Sequence, residues 1–369
     1  MSLRGPIGPL LVCSLLVACA GPRPEPVAVA PEGGVCAPRS YWPTREWRKL
    51  PPTTVGIDTA ELARADAYVR DSMPNLYALL VVQYGYVVAE HYWHGATDTT
   101  PFEVRSVTKS VTSTAVGQAI DNGVFRGVDQ RISDFFPEYF HTQDPSSWKR
   151  RIEIKHLLTM TSGIQWGEGE GIEIPAEVPE TTFIALPMAE RPGQEFNYNS
   201  GSIHLLSIAL TRATGESLRD YVNQTVFEPI GMEVPREHWD EDPHGNNYGG
   251  YGLSLTAREM ARFGFLYLND GCWDGKRVLA PGWVETATGP EEDTPWGKGT
   301  YGYLWWRTTF DGHQAYFAGG WGGQHIIVVP SLDLVVVTAA TPTATTVATD
   351  PMNLVRRFVV PAAEEAGGE

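Results

Sequence analysis

Strand-like sequence occurs near both ends of this chain, and a long stretch of helical pattern separates the two parts. Residues 77–95 contain two apolar, β-branched runs that meet at Gly85, which is typical of a strand hairpin. Similar runs follow beyond residue 300, and residues 328–337 form a second hairpin pattern around a Pro-Ser turn. The simplest assembly that pairs these segments is one antiparallel sheet built from the two ends of the chain.

The middle of the chain has the other periodicity. Residues 106–123 favour a helix that ends at an Asn-Gly pair, and residues 125–245 are mostly helical in pattern. We therefore predict an α+β fold, in which helices flank an antiparallel sheet. Residues 51–124 and 246–362 form the lobe with the sheet, and residues 125–245 form an inserted, mainly helical lobe.

The N-terminal stretch MSLRGPIGPLLVCSLLVACAG has one Arg followed by an apolar run of signal-peptide length. The run is too short for a permanent membrane-spanning helix. It ends in Leu-Val-Ala-Cys, which is similar to a bacterial lipobox. We therefore expect removal of residues 1–18 and lipidation of Cys19, with an ordinary cleaved signal peptide as the alternative.

Residues 19–50 are then expected to form a linker to the lipid anchor, and Pro, Ala and Gly are concentrated in residues 20–35. The expected location is outside the cytoplasm, on the periplasmic side in a bacterium. Cys13 would be removed with the signal peptide and Cys19 would be acylated, so export permits a disulfide between the two remaining thiols, Cys36 and Cys272. Two unpaired thiols are the alternative, because a sequence does not give the distance between them.

The charge balance excludes one class of partner. The chain has 28 Lys and Arg against 44 Asp and Glu, a formal net charge of -16. Such a surface repels phosphate backbones and anionic headgroups, so we expect no nucleic-acid partner and contact with a membrane only through the lipid anchor. The oligomeric state stays open.

The stretch FEVRSVTKSVTS places Ser106 three residues before Lys109 at the expected start of a helix. Positions i and i+3 share a helix face, so the amine can reach the hydroxyl. A serine hydroxyl is a weak nucleophile that needs a base, and lysine serves as one when burial lowers its pKa. A plain helix cap is the alternative interpretation of the same pair.

The spacing occurs a second time, at Ser146 and Lys149 in DPSSWKRR. This segment is polar and highly charged, so we expect Lys149 to stay solvated and protonated. The pair at Ser106 precedes a helix with few charges, which we expect to be largely buried. The surroundings therefore favour Ser106 as the nucleophile.

A tyrosine is a candidate third partner of this pair. Tyr221 and Tyr267 both begin Tyr-x-Asn patterns, but both lie within amphipathic helix patterns and are expected to be packing residues. Tyr198 instead follows a Pro-Gly turn in RPGQEFNYNSGS and precedes a helix that should begin near Ser202. That loop can direct Tyr198 into a cleft, whereas a structural tyrosine is the alternative.

These stretches together resemble the serine β-lactamase and penicillin-binding-protein superfamily, in particular its class C-like branch of esterases, D-amino-acid peptidases and 6-aminohexanoate-dimer hydrolases. The resemblance covers roughly residues 55–345. It is carried, in order along the chain, by FEVRSVTKSVTSTAVGQAIDNG, IKHLLTMTSGIQW, PGQEFNYNSGSIHLLSIALTRATGESLRDYVNQTVFEPIGM, YGGYGLSLTAREMARFGFLYLNDGCWDGKRVL and YFAGGWGGQHIIVVPSLDLVVV. It implies a β-lactamase/transpeptidase-like fold.

The resemblance also implies roles for individual residues. Ser106 would be the acylated nucleophile, and Lys109 and Tyr198 would together handle its proton and that of the leaving group. The backbone N–H groups of Ser106 and Trp321 would form an oxyanion hole, in which one donor contributes about 2.7–4 kcal/mol in the transition state. The residues expected at the substrate are Ser200, Gly320 and Gly322. No cofactor or metal is implied.

Two departures from the family pattern bear on the substrate. Ser200 stands where many relatives have the Asn of Tyr-x-Asn, and it has a shorter reach. Ala318-Gly319-Gly320 replaces the Lys-Thr-Gly or His-x-Gly strand, whose cation helps to hold the carboxylate of β-lactams and D-Ala-D-Ala peptides. We therefore expect a serine hydrolase that cleaves small esters or amides.

Two other functions remain open. One is a D,D-peptidase or β-lactamase, and the other is a non-catalytic lipoprotein that binds the cell wall. A Gly-x-Ser-x-Gly elbow is absent from the sequence, which gives no support to an α/β-hydrolase. His91 and His94 are three apart on an expected strand and should face opposite sides, so a shared metal ion is not expected. The acidic residues 167–180 are expected to form a solvated loop at the rim of a cleft.

Overall fold

The computed structural model describes residues 36–168, 180–289, 291–295, 299–346 and 348–364. The expected signal peptide and Cys19 lie outside the described residues. No helix among the described residues is long and apolar enough to cross a membrane.

Strands occupy both ends of the chain, as the sequence predicts. In chain order they are β1 (Leu76–Gln83), β2 (Tyr86–Tyr92), β3 (Phe102–Glu103), β4 (Ser254–Leu255), β5 (Cys272–Trp273), β6 (Lys276–Arg277), β7 (Glu292–Asp293), β8 (Thr300–Tyr301), β9 (Trp306–Phe310), β10 (His313–Gly320), β11 (Gln324–Val329) and β12 (Leu334–Ala340).

Within the described residues, eight of these strands form one antiparallel sheet in the order β2-β1-β12-β11-β10-β9-β8-β7. Both predicted hairpins are confirmed: β1 turns into β2 at Gly85, and β11 turns into β12 around Pro330. The two ends of the chain meet where β1 pairs with β12, for example Leu80 opposite Val337. The predicted antiparallel sheet is therefore confirmed.

Helices cover both faces of the sheet and fill the middle of the chain. They are α1 (Thr59–Ser72), α2 (Val107–Asp121), α3 (Pro137–His141), α4 (Ile154–Leu158), α5 (Thr182–Ala185), α6 (Ser200–Thr214), α7 (Leu218–Val222), α8 (Ala257–Leu268), α9 (Trp283–Thr288), α10 (Pro351–Leu354) and α11 (Val360–Glu364). A π-helical turn, Asn223–Phe227, continues α7, and another, Val355–Val359, joins α10 to α11.

One helix, α1, was missed by the sequence analysis. Its apolar face is narrow, since only Ala65 and Val69 are buried among its residues. A local signal does mark its start, because Asp58 accepts a hydrogen bond from Ala60 N at 2.7 Å and Glu61 lies in the first turn. The capping residue Asp58 therefore indicates the start of this helix in the sequence, whereas the hydrophobic periodicity is too weak to predict it.

The helix that begins beside Ser106 is buried along nearly its whole length, as predicted. Helix α2 packs against α6 and α7 on one side and against β10 and β11 on the other. Its polar side chains have partners within this core: Ser110 donates to Leu304 O at 2.7 Å, and Thr112 donates to Gly249 O at 2.7 Å. A helix so placed is held rigidly between the sheet and the helical part of the chain.

The described chain begins with an arm, residues 36–50, that a disulfide fastens to the body. Cys36 and Cys272 are bonded, with Cα atoms 5.5 Å apart. The ring of Trp42 packs against Phe265 of α8 and Trp273 of β5. The pairing that the sequence left open is thus a disulfide in the structure, and it closes a loop of 236 positions.

We predict that Cys36→Ser/Cys272→Ser lowers the free energy of unfolding by about 2–4 kcal/mol, because the unfolded chain regains the freedom that the cross-link removes. Urea unfolding of the oxidised protein and the variant measures this difference. Reductant should move the wild-type midpoint to that of the variant and leave the variant's own midpoint where it is. Equal midpoints for the variant and the oxidised wild type would contradict the prediction.

Candidate active site

Ser106 stands at the start of α2, in the cleft between the sheet and the helical part of the chain. The residue before it, Arg105, has φ of 51°, a left-handed conformation that is uncommon outside glycine. This turn carries the chain from β3 directly into the helix. Ser106 therefore occupies a helix N-terminus, where backbone N–H groups point towards developing negative charge.

Lys109 lies one turn further along α2 and is almost completely buried, with 1% of its surface exposed. Its Nζ donates to three oxygens: Ser106 Oγ at 2.8 Å, Ser200 Oγ at 2.8 Å and Gly250 O at 2.9 Å. Burial lowers the pKa of the Lys109 amine to about 8, while the charge of Glu168 acts in the opposite direction. With its pKa this close to physiological pH, Lys109 keeps a neutral fraction far above that of an exposed lysine, which suits it to act as a base.

Tyr198 completes the group. Its ring lies below the amine of Lys109, with Nζ 4.8 Å from the ring centroid. The ring stacks on Trp306 at 5.9 Å between centroids. Burial raises the pKa of the Tyr198 phenol well above its usual value, although hydrogen bonds with the side chains of Ser106 and Tyr301 oppose that rise. Tyr198 therefore keeps its proton at neutral pH and can act as a donor.

Ser200, the position that departs from the family pattern, is the first residue of α6. Asn199 caps this helix by accepting from Ser202 N at 2.8 Å, so the helix begins two residues earlier than predicted. The Ser200 hydroxyl accepts from Lys109 and donates to Glu168 Oε1 at 2.5 Å. In this structure Ser200 is thus a partner of the lysine.

The end of β10 approaches the chain just before Ser106. A Cβ on Gly320 would lie 2.3 Å from Val104 O, so only glycine fits without displacement. Trp321 follows immediately in the turn to β11, and 57% of this residue is exposed. Gly322 lies in the same turn, with φ of 89°, and packs against Thr341 and Pro342, which follow β12. This arrangement places the Trp321 backbone beside the start of α2, where the sequence predicts the second oxyanion donor.

The second Ser-x-x-Lys pair has a different geometry. Ser146 Oγ donates to Asp144 Oδ1 at 2.8 Å, while Lys149 Nζ donates to Tyr139 Oη at 3.0 Å and Ala185 O at 2.9 Å. The prediction that Lys149 stays solvated is wrong, because a backbone carbonyl and a phenol replace water around its amine and only 8% of the residue is exposed. The amine of Lys149 therefore binds groups other than Ser146, and this pair does not have the geometry of Ser106 and Lys109.

The two other tyrosines are packing residues, as predicted. Tyr267 is buried in the core and exchanges a hydrogen bond with Thr114 at 2.8 Å. Tyr221 is also buried and accepts from Asn122 Nδ2 at 3.1 Å.

The two histidines near residue 92 are not on one strand, which corrects the sequence analysis. Strand β2 ends at Tyr92, and His94 has φ of 57° in the following turn. His91 stacks on Trp93, and the ring of His94 packs against Tyr77. Over the described ranges of the chain, no cluster of three or more His, Cys, Asp or Glu residues could hold a metal ion.

Two members of the site were missed by the sequence analysis, the carbonyl of Gly250 and the carboxylate of Glu168. Glu168 belongs to the acidic stretch expected to be solvated, of which residues 169–179 lie outside the described residues. Although Glu168 is exposed, its carboxylate accepts from Ser200 N at 3.0 Å and from Ser200 Oγ. These contacts join residues far apart in the chain, so no local spacing reveals them.

The sequence matches the family model described as Beta-lactamase over residues 66–359. The chain belongs to this family. The predicted resemblance and the predicted fold class are both confirmed. The family is one of β-lactamase-fold serine hydrolases, and the relatives of this chain within it include enzymes that cleave amides and esters.

Two relatives and one solved structure illustrate the range of the family. A 6-aminohexanoate-dimer hydrolase from Paenarthrobacter ureafaciens is 27% identical over 292 residues, which cover 70% of this chain and 71% of that protein. Esterase EstB from Burkholderia gladioli is 26% identical over 213 residues, or 50% of this chain and 53% of that protein. The octameric penicillin-binding protein homologue from Pyrococcus abyssi has a TM-score of 0.66 at 18% identity, covering 81% of this chain and 76% of that chain, and it shares the fold.

We predict that Gly320→Ala slows ester hydrolysis by about ten- to hundredfold, because the new methyl group would push β10 away from the turn before Ser106. The rate should be measured with a short-chain nitrophenyl ester. Gly319→Ala is the matched control, since its methyl group points to the opposite face and meets side-chain rings, Phe317 at 3.0 Å and Trp306 at 3.5 Å, instead of main-chain atoms. Equal losses in both variants would contradict the prediction.

Proposed function

We propose that this protein is a serine hydrolase that cleaves small esters or amides through an acyl-enzyme on Ser106. The observation that carries the proposal is the buried amine of Lys109, 2.8 Å from Ser106 Oγ. A plain helix cap would need neither a buried lysine nor a pKa near 8. The set of Ser106, Lys109 and Tyr198 likewise disfavours a non-catalytic binding module.

In the first step Ser106 Oγ attacks the carbonyl carbon of the substrate, and its proton passes to the neutral amine of Lys109. A bond forms between Oγ and carbon, and the carbonyl oxygen becomes an oxyanion. The N–H groups of Ser106 and Trp321 are the proposed donors to that oxygen. The bond to the leaving oxygen or nitrogen then breaks.

The leaving group needs a proton as it departs. Tyr198 is hydrogen-bonded to the Ser106 side chain and keeps its own proton at neutral pH, so it donates to the leaving atom and regains a proton from Lys109. In the second step water attacks the acyl-enzyme, giving its proton to the same pair. The carbon–Oγ bond breaks, and the acid leaves with Ser106 restored.

The site supports a substrate without a carboxylate anchor. Ala318, which takes the place of the strand cation, is fully buried and apolar. Arg105, the residue before Ser106, is paired with Glu103. The exposed ring of Trp321 offers apolar surface beside the site. Relatives named as a 6-aminohexanoate-dimer hydrolase and an esterase agree with a small amide or ester.

The proposed location follows from the sequence. An exported chain, lipidated at Cys19, would hold the enzyme near a membrane through residues 19–50. The Cys36–Cys272 disulfide is in keeping with an oxidising compartment. No nucleic acid is proposed as a partner.

We predict that a fluorophosphonate probe labels Ser106 in the wild-type protein and that Lys109→Ala abolishes the label, because the hydroxyl then lacks its base. Peptide mapping by mass spectrometry identifies the labelled serine. Ser146→Ala is the control for the other Ser-x-x-Lys pair and should keep full labelling. Label on Ser146, or none on folded wild-type protein, would overturn the assignment.

We also predict that kcat/KM for a short-chain nitrophenyl ester exceeds that for a chromogenic cephalosporin by about ten- to hundredfold or more. The expected difference reflects one charge-assisted contact that the apolar Ala318 cannot make. Ala318→Lys tests the reason directly, although the buried charge requires a check of folding by circular dichroism. Faster hydrolysis of the cephalosporin by the wild-type enzyme would favour a β-lactamase instead.

A further inference from the structure

A continuous chain of hydrogen bonds leads from the nucleophile to a carboxylate. Ser106 Oγ accepts from Lys109 Nζ at 2.8 Å, and the same Nζ donates to Ser200 Oγ at 2.8 Å. Ser200 Oγ in turn donates to Glu168 Oε1 at 2.5 Å. The last distance is typical of a hydroxyl bound to a charged carboxylate.

The number of hydrogens on the Lys109 amine decides which groups donate and which accept in this series of hydrogen bonds. An ammonium has three, and the structure provides three acceptors: Ser106 Oγ, Ser200 Oγ and Gly250 O. A neutral amine has two hydrogens and one lone pair. To accept the Ser106 proton, Lys109 must direct its two hydrogens to Ser200 and Gly250 and its lone pair to Ser106.

The carbonyl of Gly250 can only accept, but a serine hydroxyl can also donate. If Ser200 gave its proton to Lys109, it would compete with Ser106 for the lone pair. Glu168 prevents this, because its carboxylate accepts the one hydrogen bond that the Ser200 hydroxyl can donate. Ser200 is then left as an acceptor towards the lysine.

We propose that Glu168 is a positioning residue, which fixes the Ser200 hydroxyl as an acceptor and so aims the lone pair of Lys109 at Ser106. This role rests on the proposed function of the site. It also explains how Ser200 works at the position where many relatives have asparagine: a carboxylate gives the hydroxyl a fixed orientation.

The carboxylate is held for this purpose by donors on both oxygens. Ser200 N donates to Oε2 at 3.0 Å, Trp166 Nε1 donates to the same oxygen, and Ser200 Oγ donates to Oε1. The first of these donors lies at the N-terminus of α6, which also favours a negative charge.

Within the described part of the chain, the titratable groups that interact with Glu168 come from four segments. They are Lys109 on α2, Tyr198 before α6, Tyr251 before β4 and Tyr301 in β8. Burial raises the pKa of all three phenols, so they are uncharged near pH 8. Among the described residues, Glu168 therefore supplies the charge that acts on Lys109.

The test measures the second-order rate of fluorophosphonate labelling at Ser106 from pH 6 to 10. The proteins are the wild type, Glu168→Ala, Glu168→Gln, Ser200→Ala and the double variant Glu168→Ala/Ser200→Ala. Glu195→Gln is the matched control, because Glu195 is an exposed carboxylate three residues before Tyr198. Circular dichroism and thermal melting confirm that each protein is folded.

In the wild type, labelling should rise with pH around a midpoint near 8, as Lys109 loses its proton. Above the midpoint, Glu168→Ala should be about ten- to hundredfold slower, the loss expected for a hydrogen bond to a charged group. Glu168→Gln still offers an oxygen to Ser200 and should recover most of this loss. Its midpoint should lie below that of the wild type, since a neutral amide no longer stabilises the ammonium.

The double variant decides whether Glu168 acts through Ser200. If it does, the double variant should be no slower than the slower single variant. Additive losses would overturn the proposal, as would a Glu168→Ala protein with the rate and midpoint of the wild type, or a Glu168→Gln protein with an unshifted midpoint. Absence of label on Ser106 in the folded wild type would instead overturn the proposed function, and the role of Glu168 with it.

Discussion

The pairing of β1 with β12 is the constraint on which the other parts of the structure depend. It joins residues 76–83 to residues 334–340 in an antiparallel register and so makes one sheet from the two ends of the chain. Strands β10 and β11 extend that sheet on the far side of β12, and α2 packs against them. The start of α2 and the end of β10 therefore meet only because the chain closes on itself. A cleft formed in this way is part of the rigid core.

Within that cleft, the buried amine of Lys109 sets the chemistry. Removing a charged amine from water is costly, so the neutral form is favoured and the pKa falls to about 8. The remaining polarity is balanced by three oxygen acceptors and the face of the Tyr198 ring. The same burial has the opposite effect on Tyr198, whose phenol holds its proton more tightly. One environment thus provides a base and an acid side by side.

Local patterns were sufficient for both hairpins, for the helix after Ser106 and for part of the site, whereas α1 was missed. The i, i+3 spacing and the apolar helix around Ser106 identified its pair with Lys109, and the Pro-Gly loop singled out Tyr198 from its two helical competitors. Lys149 shows the limit of such reasoning, because it is buried although its neighbours in the sequence are polar. Glu168 and Gly250 could not be found at all, since their contacts with the site span 32 and 141 positions.

The three acceptors of Lys109 differ in how mutation can alter them. Ser106 and Ser200 are side chains, and one base change in the gene can replace either. The third acceptor is the main-chain oxygen of Gly250, which every residue type possesses. A substitution of Gly250 would keep this oxygen and could affect the lysine only through the added side chain. Its Cβ would lie 3.5 Å from the Lys109 amine and 3.2 Å from Ser200 O. A substitution can therefore remove either side-chain acceptor of Lys109, whereas the third acceptor is present whichever residue occupies position 250.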